Sequence, residues 1–96
     1  MMYKILLVED DKNISEMLCD YFTEKSSNKI IIDVADHGKK GADMVYENTY
    51  DLLLLDIMLP QLDGFEICKE VRRFSDVPIM FITARCAQED ILTGYA

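Results

Sequence analysis

Apolar residues recur along this chain in two rhythms. Uninterrupted runs, Ile5-Leu6-Leu7-Val8, Ile30-Ile31-Ile32 with Val34, Leu52 to Leu55 and Ile79-Met80-Phe81-Ile82, suit parallel strands covered by helices on both faces. The strands are expected at Tyr3 to Val8, Lys29 to Val34, Leu52 to Leu55 and Ile79 to Ile82. Between the runs, apolar positions fall at helical spacing. Ile14, Met17, Leu18, Tyr21 and Phe22 form one stripe of a helix from Lys12 to about Lys25, with Asp11 placed to cap its start. A second helix, from about Lys39 to Asn48, is expected to turn Ala42, Val45 and Tyr46 inward. A third, Phe65 to about Phe74, carries Phe65, Cys68 and Val71 on one face, and Gln88 to Tyr95 begins a fourth. Polar and turn-forming clusters separate these elements: Glu24 to Asn28, Ala35 to Gly38, Pro60 to Gly64 and Ser75 to Pro78. Strand and helix in alternation predict one α/β domain, a parallel sheet joined by right-handed crossovers.

The stretch Asp51 to Gly64, DLLLLDIMLPQLDG, is the centre of this plan. Its leucine run stops at Asp56, which therefore sits at the carboxyl end of a strand, the edge where ligands bind in open α/β sheets. Taken alone, Asp56 is equally well read as a solvated acid ending a strand. The first run ends in Glu9-Asp10-Asp11, however, and the fourth ends at Thr83. If these strands are parallel neighbours, Glu9, Asp10, Asp56 and the Thr83 hydroxyl converge on one pocket. Carboxylates so crowded repel one another unless a cation is bound, and a hard divalent ion such as Mg²⁺ prefers such oxygen donors.

Composition narrows the picture further. Ninety-six residues, half of them apolar, make a single globular core. No apolar run approaches the roughly 20 residues that span a bilayer. The opening MMYKILLV is too short and too soon followed by acids for a signal peptide, so the expected location is the cytoplasm. A formal charge of −8 argues against nucleic-acid binding by this segment and suits a module that attracts cations. Cys19, Cys68 and Cys86 are odd in number and widely spaced, which indicates neither a zinc site nor a disulfide framework. His37, the only histidine, has no partner at metal-ligand spacing and reads as an exposed loop residue.

Three sequence words, LLVEDD (6–11), DLLLLDIMLPQLDG (51–64) and PIMFITA (78–84), stand in the order in which they resemble the receiver domain of two-component response regulators. The resemblance runs the whole length of the chain. It implies a flavodoxin-like doubly wound parallel sheet of strand order 2-1-3-4, with the fifth strand, the last helix and the family's cationic lysine lying beyond Ala96, so that residues 1–96 are a receiver domain incomplete at its C-terminus. It implies that Asp56 accepts a phosphoryl group from a sensor histidine kinase and that Asp10, Asp56 and the Met58 backbone carbonyl bind Mg²⁺, with Glu9 acting through a water. Thr83 would contact the phosphoryl group and switch the surface around the fourth strand and helix, and Arg85 would influence access of hydrolytic water. Asp11 and Asp63 are better read as cap and turn residues. The wording of the motifs resembles regulators with a winged-helix DNA-binding output domain, which would contact DNA and control transcription. With the family's fifth strand absent, the fourth strand is expected to be an edge with uncovered apolar side chains, inviting self-association.

Two other readings compete. Phosphatases of the haloacid dehalogenase class also use a strand-end Asp with Mg²⁺, but they carry a second Asp two residues later, where this chain has Met58. An interaction module that keeps the fold without taking a phosphoryl group stays open on sequence alone.

Overall fold

The computed structural model describes residues 2–27, 29–56 and 64–82, with the backbone alone for Asp56, Gly64 and Phe65. Strand β1 (Tyr3–Val8) leads into helix α1 (Lys12–Lys25), then β2 (Ile30–Ala35), α2 (Gly38–Glu47), β3 (Leu52–Asp56), α3 (Gly64–Arg72) and β4 (Ile79–Ile82). All pairings are parallel and the order is β2-β1-β3-β4, as the resemblance implies. Strand β2 is displaced by one residue from expectation, starting at Ile30 and taking in Ala35. The expected fourth helix, Gln88 to Tyr95, lies outside the described residues.

Because side chains alternate across a strand, the apolar runs of β1, β3 and β4 each serve two cores, whereas on β2 Ile30, Ile32 and Val34 pack on one core and Ile31 is exposed. Leu6, Val8, Leu53, Leu55, Ile79 and Phe81 pack on one face of the sheet with Ala42 and Val45 of α2 and Ile67 and Val71 of α3. Ile5, Leu7, Leu54 and Ile82 lie on the other, against Leu18 of α1. Leu53, Leu54 and Leu55 are fully buried, so β3 has no solvent-facing side in this run. That requirement explains why its pattern is continuous rather than alternating.

The helical stripes are narrower than their apolar residues suggested. On α1, Leu18 is fully buried and Ile14 and Phe22 are half-buried, whereas Met17 and Tyr21 are exposed. Residues 14, 18 and 22 form an i, i+4 row, and the row one residue earlier, 17 and 21, turns away from the sheet. On α2 the buried side is Gly38, Gly41, Ala42 and Val45. Tyr46, expected inward, is 73% exposed and stands at the rim, edge-on to Phe74 with centroids 5.2 Å apart. On α3, Val71 is buried and Cys68 half-buried as expected, but Ile67 bears as much of the packing. Strand β4 is an edge of the described sheet, as expected, but its Ile79, Phe81 and Ile82 side chains are buried rather than uncovered, Ile79 and Phe81 in the core that also holds Ile67 and Val71 of α3.

Close approach of α2 to the sheet depends on Gly41. A Cβ at this position would lie 2.6 Å from Val8 Cγ2, and Val8 is a fully buried β-branched residue with little rotamer freedom. Near the amino end of the sheet, a polar knot fixes the strands. Lys4 N–H donates to Asp51 Oδ2 (2.8 Å) and Asp51 N–H to Lys4 O (2.7 Å). The Tyr50 hydroxyl donates to Asp33 Oδ2 (2.8 Å), and the Lys4 ammonium sits 5.1 Å above the Tyr50 ring.

Two measurements check this packing. Gly41→Val is expected to lower unfolding free energy by about 1–3 kcal/mol, as overpacked cores do, measured by denaturant melts. Burial, the hydrogen bond to Asp33 and the Asp33 charge together push the Tyr50 hydroxyl well above the usual tyrosine range. The unfolded chain releases this proton near pH 10 while the folded chain retains it, so stability is expected to fall as pH rises above about 10. Tyr50→Phe is expected to remove that part of the pH dependence in melts recorded from pH 8 upward.

Candidate functional site at the carboxyl edge of the sheet

The parallel ladder between β1 and β2 extends one residue past β1, since Glu9 N–H donates to Ala35 O at 3.0 Å. This holds Glu9 at the rim of the core, with its side chain only 2% exposed. One of its oxygens, Oε2, accepts from the Asp11 backbone N–H at 3.2 Å. Asp11 has an extended backbone and is the N-cap of α1: its Oδ1 accepts from Asn13 N–H (2.8 Å) and Ile14 N–H (3.2 Å). Between these two anchored residues Asp10 is exposed. The cap expected of Asp11 is therefore present, and its backbone bond to Glu9 is an additional link that residue types alone do not signal.

Register brings the second acid to the same place. Val8 is paired with Leu55, so the residues that follow them, Glu9 and Asp56, leave adjacent parallel strands side by side. On the other side of β3, Asp56 is paired with Ile82, the last residue of β4 before Thr83. The structure thus puts Glu9, Asp10 and the Asp56 backbone at one edge of the sheet. Met58, Asp63, Thr83 and Arg85 lie outside the described residues. Among the described residues, no three His, Cys, Asp or Glu side chains form a metal cluster.

His37 has a role that sequence reading missed. It is the N-cap of α2, half-buried rather than an exposed loop residue, and its Nδ1 accepts from Lys40 N–H at 3.2 Å. A neutral imidazole nitrogen can take the place of the usual Ser or Asp oxygen at that position. The only signal was its place directly before the helix. Cys19 and Cys68 are free thiols. Burial, aided by the Asp20 and Glu16 charges, raises the Cys19 thiol above its ordinary range, which disfavours the reactive thiolate.

Comparison with known proteins gives this edge its context. The description "Response regulator receiver domain" matches residues 5–96. This chain belongs to the response regulator receiver family. It is 41% identical over 91 residues to the transcriptional regulatory protein BaeR of Escherichia coli, covering 95% of this chain and 37% of that protein. With the response regulator ArlR of Staphylococcus saprophyticus it shares 39% identity over 93 residues, 97% of this chain and 41% of that one. The chain therefore spans about two-fifths of the length of these relatives. Among solved structures, the response regulator TrrA of Thermotoga maritima in complex with Mg²⁺-BeF superposes with a TM-score of 0.78 at 31% identity, covering 92% of this chain and 76% of TrrA. The histidine kinase ThkA in complex with TrrA gives 0.77 at 34% identity, over 86% of this chain and 70% of the matched one. The fold is thus the flavodoxin-like receiver fold, and the module is a two-component signalling domain. Among the described residues no helix is long and apolar enough to cross a membrane.

Asp10 is an exposed acid beside other acids, so neutralising it relieves repulsion without opening the core. Asp10→Asn, melted without divalent cations, is expected to be as stable as wild type or more so, by up to about 0.5 kcal/mol. A marked drop in melting temperature would mean that Asp10 has a structural role.

Proposed function

We propose that Asp56 is the phosphoacceptor of this receiver domain and that Asp10, Asp56 and the Met58 carbonyl hold Mg²⁺, with Glu9 acting through a water. The observation that carries this reading is the register of β1 and β3, which delivers Glu9-Asp10 and Asp56 to one edge. The donor set fits the ion: carboxylate and carbonyl oxygens are the hard ligands Mg²⁺ prefers, and a site built on one or two carboxylates leaves room for water and phosphoryl oxygens. Further support comes from the likeness to TrrA, whose complex contains Mg²⁺-BeF and which also forms a complex with a histidine kinase.

The donor is a phosphohistidine on a sensor kinase. An Asp56 carboxylate oxygen attacks phosphorus, the P–N bond breaks, and its electron pair leaves with the imidazole, which takes up a proton. Bound Mg²⁺ supplies charge neutralisation for the phosphoryl oxygens. Asp10 and Glu9 orient the acceptor edge, and the Thr83 hydroxyl donates a hydrogen bond to the transferred group. The added charge of about −1.5 to −2 then biases the surface near β4. The readout is transcriptional, through an output domain outside these residues, a reading supported by the likeness to BaeR, a transcriptional regulatory protein. The chain performs no turnover of its own in this scheme and works in the cytoplasm.

The test is direct. Incubated with acetyl phosphate and Mg²⁺, a version extended to the complete domain is expected to gain one phosphoryl group, mapped to Asp56 by mass spectrometry and absent from Asp56→Ala. A label that persists in Asp56→Ala assigns another acceptor. No label in wild type favours an interaction module that keeps the fold without the chemistry.

A further inference from the structure

We propose that Asp11 is a positioning residue for the metal site, holding Glu9 and Asp10 in place without touching the ion. This inference rests on the metal reading above. Its basis is the double use of Asp11. Its side-chain oxygen receives two N–H groups from the first turn of α1 (2.8 and 3.2 Å), while its own backbone N–H reaches back to Glu9 Oε2 at 3.2 Å. The Asp11 carbonyl also accepts from Ser15 N–H at 3.0 Å, the first bond of the helical ladder.

The consequence falls on Asp10. Upstream, Glu9 is tied into the sheet through Ala35 O and is almost completely buried. Downstream, Asp11 is tied to α1 at three points. The Asp10 backbone is thus held between a strand end and a helix start, and an exposed side chain gains a fixed origin. A ligand whose backbone is fixed beforehand loses less freedom on binding an ion. The Asp11 side-chain oxygen Oδ1 faces the helix and is already engaged by two donors, which assigns it to the cap rather than to the ion. Losing the cap frees the first turn, and with it the Asp11 N–H that holds Glu9.

Four variants separate this role from its alternatives. Asp11→Ala and Asp11→Gly both remove the acceptor, and glycine at an N-cap costs the helix only a few tenths of a kcal/mol, so the second stays folded if the first does not. Asp11→Asn and Asp11→Ser keep a side-chain acceptor but discard the charge. Mg²⁺ dissociation constants are measured by NMR titration of the 9–11 amides, at a temperature where melts show each variant folded. Expected are at least about 10-fold weaker binding in Asp11→Ala and Asp11→Gly, and values within about twofold of wild type in Asp11→Asn and Asp11→Ser. Equal weakening in all four would make the charge, or direct ligation, the operative feature and overturn the proposal. Unchanged affinity in the folded Ala and Gly variants, with Asp10→Asn still losing the ion, would also overturn it while leaving the metal site intact. Failure of wild type to bind Mg²⁺ would overturn the metal reading itself and this inference with it.

Discussion

The pairing of β1 with β3 is the constraint on which the rest of the molecule depends. Both strands are buried on both faces, and their register sets Leu6 against Leu53 and Val8 against Leu55. A slip of one residue would exchange the side chains of the two cores, sending Leu54 toward α2 and Leu53 toward α1. Large side chains completely removed from water are worth roughly 1.5–3 kcal/mol each, so such a slip is costly. The same register that protects the core therefore sets the acids at the edge.

That coupling explains why the edge can carry a dense negative charge. Glu9 is drawn into the rim of the apolar core by its backbone bond to Ala35, and Asp11 is committed to the start of α1. Only Asp10 among the three faces solvent fully unengaged by the helix cap. The core supplies the free energy that keeps Glu9, Asp10 and Asp11 together at this edge. Gly41 belongs to the same scheme, because the absence of its side chain lets α2 close over Val8, the residue just before this acidic run.

At the opposite end of the sheet the chemistry is different in kind. Lys4, Asp33, Tyr50 and Asp51 satisfy one another across three strands and their connections. These contacts link the starts of β1 and β3 at the end of the sheet away from Glu9, Asp10 and the Asp56 backbone. The division matches the general logic of open α/β sheets, in which structure is secured on one side and ligands are met on the other.

Periodicity and composition were enough to place every described strand and helix to within a residue or two, since runs buried on both faces and stripes buried on one leave different patterns. Strand order came from the resemblance carried by LLVEDD, DLLLLDIMLPQLDG and PIMFITA, while the convergence of acids followed from where the runs end provided the strands were parallel neighbours, and the pairing bears out that order and sets Glu9, Asp10 and the Asp56 backbone at one edge. Tertiary structure alone decided which apolar residues of each helix are buried. Met17, Tyr21 and Tyr46 lie on predicted stripes yet face water, because a helix touches a sheet along a band narrower than its apolar arc. It likewise decided that His37 caps α2 and that Asp11 joins Glu9 to α1. Such bonds depend on where backbone N–H groups point once helix and strand have docked, a direction that residue identity does not encode.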